Sequence, residues 1–399
     1  MTADKEASAC LEKQLLVGCA CTRITSEGAR RIREILSQPL DWDYILRAAE
    51  EHSITPLLHR SLAGLVPYVP PPPVKERLTK AVRANTARSL YLTGQLIKIL
   101  DAFQVHKVSV IPYKGPILAV QVYQNVSLRR FEDLDLIVRQ RDLPKAHEII
   151  LTLGYKAKFD WVHSRGANAS LVPAEYGYIN ETQRTLVELH TEVTLRHSPL
   201  KPDLDYFIRR LKPVRLGDRD VGTFPAEDLL PMLCIHGSKH FWDRISWIAD
   251  VSELVQSPLM VDWGRSMRVA QSLNASRIVN VGLALAHQML DTPLPREILT
   301  WIRADGVADE VATSILQRLI SRDPQSLNAT ARFNLRRRMV AGFFDGWRYA
   351  SRLAILPAEE DWEMVRLPPA LVPLYIALRP LRLFRKYGWK PRQDAGPTI

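Results

Sequence analysis

The 399-residue sequence predicts an α+β protein with a small mixed β-sheet core, flanked by an N-terminal helical region and a C-terminal helical domain. Apolar residues recur at helical spacing up to residue 104 and again after Pro225. Between these regions, short β-branched runs alternate with helical segments in the order β-α-β-α-β-β. Hydrophobic residues make up 46% of the chain and charged residues 24%, a balance that excludes an intrinsically disordered protein.

The N-terminal region is predicted to be helical. Residues 27–36 form one predicted helix, and Asp41 is a candidate N-cap for a second. The run at residues 66–73 is expected to be a stiff, non-helical spacer, because consecutive prolines fix extended geometry and remove backbone donors. A long helix should then run from Val74 to Phe103. Its predicted buried face contains Leu90, Leu92, Leu96, Ile97 and Leu100.

The central α/β core is predicted from a change of hydrophobic period at Val108. Two helices, at residues 117–123 and 141–153, should connect its strands, and Gly154 should end the second helix in the left-handed conformation. The strands of this core are predicted at residues 108–111, 133–138, 176–180 and 185–193.

The rest of the chain is predicted to be helical, at residues 228–240, 242–255, 263–273, 278–290 and 308–321. The sequence thus divides into an N-terminal helical region, an α/β core, a helical domain and a basic tail, at residues 1–104, 105–222, 223–356 and 357–399.

The net charge of +11 comes from the C-terminal part of the chain. Residues 330–352 contain six basic residues and one acid, and residues 366–392 contain seven basic residues and no acid. Clustered cations can bind polyanions, so residues 330–392 are a candidate contact for nucleic acid or an anionic membrane surface. The alternative is that the cations are solvated while the apolar residues between them pack onto the helical domain.

The cysteine pattern favours a reduced, cytoplasmic location, because Cys10, Cys19, Cys21 and Cys234 lack the spacing of a disulfide framework or a zinc site. The stretch at residues 15–19 is similar to a lipoprotein cleavage site, but acids precede it and its apolar run is short. We interpret it as the start of a helix. No apolar run reaches the ~20 residues of a membrane span, so no transmembrane segment is expected.

The most informative motif is Asp-Leu-Asp at residues 133–135. On a strand its two carboxylates point to one face, where they repel each other unless a cation lies between them, and hard Mg²⁺ prefers such oxygen ligands. If the aspartates hold a cation, replacing either one with Asn should preserve the stability of the protein. If they instead pair with nearby arginines, which is the structural alternative, the same substitution should lower it. A third acid, Glu188, lies on a later strand, where His190 and Glu192 share its face.

A strand-turn-helix segment upstream carries Lys114 and Gly115 at its turn. Glycine lets a phosphate approach the backbone, and the helix N-terminus supplies free N–H groups. Lys114, expected at the exposed end of its strand, can add a positive charge for a triphosphate. A phosphate-binding turn, paired carboxylates and a third acid form the layout of two-metal phosphoryl transfer.

These motifs resemble the core of the uncharacterised bacterial nucleotidyltransferase family within the polymerase-β-like superfamily. The resemblance is carried by residues 113–155, by LVELH at residues 186–190 and by the helical residues 229–254. It implies a nucleotidyltransferase fold and Mg²⁺-dependent transfer of a nucleoside monophosphate from an NTP such as ATP, with release of pyrophosphate. The resemblance further implies a two-metal site whose catalytic ligands are Asp133, Asp135 and Glu188.

By the same resemblance, Lys114 and Gly115 would contact the nucleotide phosphates. The usual Gly-Ser of the superfamily is Gly115-Pro116 here, so phosphate binding must depend more on Lys114 or Arg129. Glu132 adds a negative charge directly before the first aspartate. The complete set of nucleotide-binding candidates is Lys114, Gly115, Arg129, His190, His236 and His240.

His236 and His240 are four residues apart and share one helix face. That spacing suits zinc, but no third ligand is evident, so polar contacts in a substrate cleft or plain packing are the favoured interpretations. Further cleft candidates nearby are the aromatic residues that could stack on a base and two charged residues, namely Phe241, Trp242, Trp247, Lys239 and Asp250.

The sequence therefore predicts a cytoplasmic, Mg²⁺-dependent nucleotidyltransferase. Its acceptor could be a small molecule, a peptide, a protein side chain or the 3′ end of an RNA. The alternative is a catalytically inactive protein of the same fold that binds nucleic acid or an anionic membrane through its basic C-terminal part. The acidic trio favours the enzyme, because a pure binding protein does not need to hold three like charges together.

Overall fold

A computed structural model describes residues 11–65, 70–158, 174–193, 204–321 and 327–339, with short pieces at 351–352, 355–356, 361, 371 and 374–387. Helices and strands are mixed in the order expected for an α+β protein, which confirms the predicted fold class. The described strands are β1 (Val110–Pro112), β2 (Asp133–Val138), β3 (Lys156–Ala157), β4 (Glu175–Asn180), β5 (Thr185–His190), β6 (Lys212–Leu216) and β7 (Arg219–Thr223).

The helices that precede and cross the sheet are α1 (residues 11–18), α2 (Ser26–Leu36), α3 (Trp42–Glu51), α4 (Thr55–Gly64), α5 (Pro72–Val105), α6 (Gly115–Tyr123), α7 (Leu143–Thr152) and α8 (Leu204–Ile208). The C-terminal helices are α9 (Ala226–Lys239), α10 (Ile245–Gln256), α11 (Trp263–Ser272), α12 (Ser276–Leu290), α13 (Arg296–Ala304), α14 (Gly306–Ile320), α15 (Ala329–Met339) and α16 (Tyr375–Tyr387). Within the described ranges, no helix combines the length and apolar character that crossing a bilayer requires.

The N-terminal predictions are confirmed except at the proline run. Asp41 caps α3 and accepts a hydrogen bond from the Tyr44 backbone N–H at 2.9 Å. Residues 66–69 lie outside the described residues, but Pro72 and Pro73 are the first two residues of the 34-residue helix α5 rather than part of a spacer. Proline suits a helix start, because its fixed φ is helical and the N–H it lacks would have no partner there.

The buried face of α5 is slightly different from the prediction. Leu92, Leu96 and Leu100 are buried as expected, but Leu90 is 58% exposed. Leu90 lies two residues from Leu92, which places it on the opposite side of the helix.

The central sheet has five strands in the order β1-β2-β5-β4-β3. β2 and β5 are parallel, and the other neighbouring strands are antiparallel. Leu134 and Leu136 of β2, with Val187 and Leu189 of β5, point into the hydrophobic core beneath α5 and α7. The opposite face of the same two strands carries acidic side chains. We call it the carboxylate face, defined by residues 133 and 135 of β2 and 186, 188 and 190 of β5.

A second, two-stranded sheet is formed by β6 and β7, which the sequence analysis missed. Gly217 adopts a φ of +65° in the two-residue turn between the strands. A Gly-Asp pair between two short runs is a hairpin signal, but these strands alternate too weakly to stand out from a loop. The predicted domain boundaries at residues 104, 222 and 356 stay predictions.

The helical domain packs around Trp242, whose side chain is fully buried. Its ring lies against Gly237 of α9 and Gly282 of α12, where side chains would collide with it. The basic helix α15 packs on the same domain: the guanidinium groups of Arg332 and Arg336 lie 5.7 and 4.6 Å from the ring centroid of Phe241. Part of the clustered positive charge is thus used in internal packing.

The described pieces of the basic tail also form internal ion pairs. Arg379 contacts Asp361 at 2.7 Å with both side chains buried, and Arg382 binds the same carboxylate. Residues 366–370, 372–373 and 388–392 lie outside the described residues. The contact of this segment with a polyanion stays a prediction.

Substituting Gly237 with Ala should destabilise the helical domain. The new Cβ would lie 2.5 Å from Cε3 of the buried Trp242 ring, so the free energy of unfolding should fall by roughly 1–3 kcal/mol. The matched control is Gly94→Ala in α5, where no atom lies within 4 Å of the added carbon. That variant should gain roughly 0.5–1 kcal/mol, because alanine restricts the unfolded chain. Chemical denaturation of both variants measures the difference, and equal stabilities would contradict the packing described here.

Candidate functional site

The candidate site lies on the carboxylate face of the central sheet. In the parallel register of β2 and β5, Asp135 pairs with Glu188, and Asp133 pairs with Leu186. Asp135 is only 3% exposed, while Asp133 and Glu188 are half-buried. The two aspartates share a face because they are two residues apart on a strand, so the register brings all three acids together.

Lys114 joins this group from the turn between β1 and α6. It is the N-cap residue of α6, in an extended conformation, and Gly115 follows with a φ of +56°. The lysine is not at an exposed strand end as expected: it is 6% exposed, and its Nζ lies 2.6 Å from Oδ1 of Asp135. A Cβ on Gly115 would lie 3.3 Å from the backbone oxygen of Asp133, which explains why the tight turn needs glycine.

His190, at the end of β5, links two acids on the carboxylate face. Its Nε2 donates to Oδ1 of Asp135 at 3.1 Å, and its Nδ1 lies 3.6 Å from Oε1 of Glu175 on β4. Lys239 of α9 donates to the same Glu175 carboxylate. The sequence analysis named Lys239 but missed Glu175, because only the β4–β5 register reveals that Glu175 lies opposite His190.

The four acids of the site are Asp133, Asp135, Glu175 and Glu188, and the neighbouring charges lower the pKa of two of them and leave the pKa of the other two raised. Burial alone would raise the pKa of Asp135, but Lys114 and His190 outweigh it and hold that pKa well below its usual range. Burial of Glu175 is likewise outweighed by His190 and Lys239, so its pKa is also lowered.

The other two acids, Asp133 and Glu188, lack comparable partners. Burial and the charge of Asp135 raise the pKa of both carboxyls. Among the described residues, Asp133 forms no ion pair, and Glu188 approaches only His190, at 3.7 Å. These two carboxylates are therefore the ones left under-compensated by the protein.

Arg129 is a candidate phosphate ligand, but its guanidinium is bound to Asp250, an acid outside the carboxylate face. Its guanidinium donates two hydrogen bonds to Asp250 of α10, at 2.9 and 3.0 Å, and Tyr123 donates a third to Asp250 at 2.8 Å. Arg130 pairs with Glu132 at 2.8 Å, which neutralises the extra acid before β2. Among the described residues, no arginine pairs with either aspartate of the Asp-Leu-Asp motif, which was the structural alternative. Lys114 pairs with Asp135 instead.

The two histidines of α9 lie at the Lys114 end of the site. Nδ1 of His236 is 3.3 Å from Nζ of Lys114, and the ring centroids of His236 and His240 are 4.8 Å apart. Trp247 packs against both rings, with centroid distances of 5.6 and 5.0 Å. Trp242, in contrast, is a core residue and cannot reach a ligand.

Both histidine rings are neutral at physiological pH. Burial and the charge of Lys114 lower the pKa of His236 well below its usual value, and burial with Lys239 lowers the pKa of His240 to about 4. Neutral rings beside an indole present flat, uncharged surfaces, which suit stacking on a planar base better than binding of phosphate.

Metal-ligating atoms come together at one point of the described residues. Asp135, Glu188 and His190 each offer an atom, and these atoms lie within 4.8 Å of one another. Burial lowers the pKa of His190, but hydrogen bonds to Asp135 and Glu175 raise it to about 9, so the imidazolium carries no free lone pair at neutral pH. The under-compensated oxygens of Asp133 and Glu188 beside Asp135 fit a hard divalent cation better.

The mixed sheet, its carboxylate face and the Lys-Gly helix N-terminus define a nucleotidyltransferase-type transferase with a candidate divalent-metal site. A family model described as uncharacterised nucleotidyltransferase matches residues 38–291, and the chain belongs to that family. The match covers more than half of the chain, confirms the resemblance and implies a nucleotide substrate. Comparisons with curated proteins and with solved structures give no match.

Protein stability should fall at alkaline pH because of His190. The folded state raises the pKa of this buried group from 6.5 to about 9, so its stabilising effect is complete below pH 6.5 and is lost as the pH rises through 9. The free energy of unfolding should drop by up to roughly 3 kcal/mol across this range. The variant His190→Gln should flatten the profile, whereas the exposed-site control His106→Gln should retain it. A parallel profile for His190→Gln and wild type would contradict the charged state assigned to His190.

Removing Lys114 should weaken the fold as well as the site. Lys114→Ala leaves the buried Asp135 with His190 as its one remaining cation among the described residues, and breaking a buried pair costs roughly 3–5 kcal/mol. Lys98→Ala, on the exposed side of α5, should change stability by less than roughly 0.5 kcal/mol. Urea denaturation at pH 7 compares the two, and a Lys114→Ala protein as stable as the control would show that the ion pair contributes nothing to the fold.

Proposed function

We propose that this protein transfers a nucleoside monophosphate from an NTP to an acceptor hydroxyl, with Mg²⁺ as cofactor and release of pyrophosphate. The observation that supports this most directly is the convergence of Asp133, Asp135 and Glu188 on one face of two parallel strands. A fold that only needed stability would not bury under-compensated acids beside each other. Membership of the nucleotidyltransferase family supplies the class of reaction.

In the proposed reaction, the acceptor oxygen forms a bond to the α-phosphorus of the NTP. The bond from that phosphorus to the bridging oxygen of the β-phosphate breaks, and pyrophosphate leaves with the electron pair. The hydroxyl proton passes to Glu188, the acid of the trio that lies on β5 and is half-buried. Asp133, Asp135 and Glu188 would hold Mg²⁺, which when bound neutralises phosphate charge and acts as a Lewis acid.

The nucleotide is proposed to bind at the Lys114 end of the carboxylate face. There Lys114 and the backbone around Gly115 would bind phosphates, and His236, His240 and Trp247 would contact the base. Lys114 is already close to Asp135, so phosphate binding would draw its ammonium group from a carboxylate toward the nucleotide. His190 would act as a positioning residue for Asp135, since its hydrogen bond fixes that carboxylate. Arg129 would position the site through Asp250.

The inactive, polyanion-binding alternative has less support. In the described part of the basic segments, arginines stack on Phe241 or pair with Asp361 and Glu310, so much of the positive charge is used internally. The under-compensated charges of Asp133 and Glu188 support a catalytic cation site. The alternative would gain support if the protein bound RNA or anionic vesicles in a salt-dependent way without binding Mg²⁺-NTP.

Asp133→Asn should remove activity and spare the fold. Burial and Asp135 destabilise the charged form of Asp133, so the neutral amide should leave the melting temperature unchanged or raise it in metal-free buffer. Transfer of label from α-³²P-labelled NTPs in Mg²⁺, with a panel of acceptors, should fall roughly 100-fold or more. A destabilised Asp133→Asn protein, or one with full transfer activity, would contradict the metal-site proposal.

Asp135→Asn is the matched comparison, and the structure changes the expectation for it. Because Lys114 and His190 both contact Asp135, the amide would leave the buried Lys114 without its acid and His190 with Glu175 as its remaining close acid. The variant should lose stability as well as activity, so Asp133→Asn separates catalysis from folding and Asp135→Asn does not. An equally stable Asp135→Asn protein would show that Lys114 finds another partner. Glu188→Gln should resemble Asp133→Asn.

A further inference from the structure

A large cavity lies between the N-terminal helices and the sheet, beyond the Asp133 end of the carboxylate face. It has a volume of about 660 Å³, and we call it the α5 groove. Its floor and one wall are apolar, formed by side chains of β4, β5 and α5. Six cationic residues also line it, and these are Arg47, Arg77, Arg88, Arg130, Lys158 and Arg184.

The floor of the α5 groove is a continuation of the carboxylate face. Leu186 lies in the floor, pairs with Asp133 across the parallel register and precedes Glu188 by two residues on the same face of β5. Ile179, beside it on β4, pairs with Leu186. Two residues along a strand span about 7 Å. A ligand seated on Leu186 can therefore present a hydroxyl to the carboxylates without leaving the sheet face.

Lys158 lies beside the position on β4 that pairs with Glu188. Gly177 pairs with Glu188, and a Cβ on Gly177 would lie 2.8 Å from Cδ of Lys158, so the lysine stem crosses the sheet at a position that only glycine leaves open. Lys158 also lines the groove. The same side chain thus lies over the strand position that pairs with Glu188 and lines the cavity.

The charges in the groove are unevenly compensated. The acids at its opening, Glu50 and Glu132, both pair with Arg130, at 3.3 and 2.8 Å. Among the described residues, no acid pairs with Arg47, Lys158 or Arg184, which come from three different segments of the chain. Cations that converge from separate elements without an acidic partner create a site for an anion.

Neither Lys114 nor the histidines of α9 line the α5 groove. Lys114 contacts Asp135, whereas Leu186 of the groove pairs with Asp133, so the proposed nucleotide end and the groove lie toward different ends of the carboxylate face along β2 and β5. In-line displacement requires the attacking and leaving oxygens to be on opposite sides of the phosphorus, and this arrangement supplies those two sides.

We infer that the α5 groove is the acceptor subsite and that it takes a small, phosphate-bearing hydroxyl compound. This inference rests on the proposed function and names its acceptor class. The volume lies in the range of small-molecule sites, the apolar floor can hold a carbon skeleton, and the unpaired cations can bind a phosphate dianion.

The test measures binding in the groove without NTP or metal, so its result does not depend on the transfer reaction. The probes are inorganic phosphate, a sugar phosphate and nucleoside 5′-monophosphates, with the dephosphorylated sugar and nucleosides, a carboxylated sugar and a 5′-phosphorylated RNA 12-mer for comparison. Titration calorimetry and NMR give Kd for wild type, Arg184→Glu, Arg47→Glu and Ala84→Trp. The matched control is Arg83→Glu, on α5 but outside the groove.

At least one phosphorylated small molecule should bind the wild type and the control equally. Each charge reversal should weaken it roughly tenfold or more, and Ala84→Trp should do so by filling the groove. The inference is overturned if no phosphorylated small molecule binds at up to about 10 mM, if binding ignores these substitutions, or if only the RNA or the carboxylated sugar binds. Binding of Mg²⁺ with a non-hydrolysable NTP analogue should be unchanged in Arg184→Glu, and its loss would make the groove part of the nucleotide site instead.

The two proposals can fail separately. Groove binding that is sensitive to Arg184→Glu, combined with Asp133→Asn results that contradict the metal site, would leave a phosphate-binding groove on a protein with another function. Normal nucleotidyl transfer by a wild type that binds none of the phosphorylated small molecules would overturn the acceptor assignment alone.

Discussion

Four carboxylates share one face of the central sheet, and their mutual repulsion is the constraint around which the rest of the site is built. Asp133 and Asp135 face the same way because a strand alternates its side chains, and the parallel register adds Glu188. The antiparallel neighbour β4 then adds Glu175. Such a face cannot be buried without cations, because like charges in a low-dielectric environment raise each other's pKa and destabilise the fold.

The cations come from segments that are distant in sequence, and they tie the parts of the fold together. Lys114 comes from the start of α6, His190 from the end of β5 and Lys239 from α9. The Lys239–Glu175 contact joins α9 of the helical domain to β4 of the sheet. The Arg129–Asp250 pair joins α10 of the same domain to the segment that precedes β2. Electrostatic compensation of the site is thus also the polar part of the domain packing. Breaking it should affect stability and activity together, except at Asp133 and Glu188, whose pKa values are raised.

The cations neutralise some of the four carboxylates and not others, and different surfaces lie on the two sides of the acids that they leave under-compensated. The protein balances Asp135 and Glu175 well but leaves Asp133 and Glu188 with raised pKa values. Flat, neutral rings lie beyond Lys114, and an apolar groove with a cationic opening lies beyond Asp133. In the proposed function, a nucleotide donor and a phosphate-bearing acceptor would approach the same carboxylates from these two surfaces.

The sequence by itself determined the fold class, the strands that carry Asp133, Asp135 and Glu188, and the family, because hydrophobic period, the Lys-Gly turn and the two-residue spacing of Asp133 and Asp135 are local signals. It also placed the Asp41 cap and the Gly154 helix end correctly. It missed the β6–β7 hairpin, whose alternation is weak. Only the tertiary structure decided the partners: that Lys114 is buried against Asp135, that Arg129 serves Asp250, and that Glu175 completes the acidic face. Ion pairs between residues tens of positions apart depend on register and packing, which no local pattern encodes.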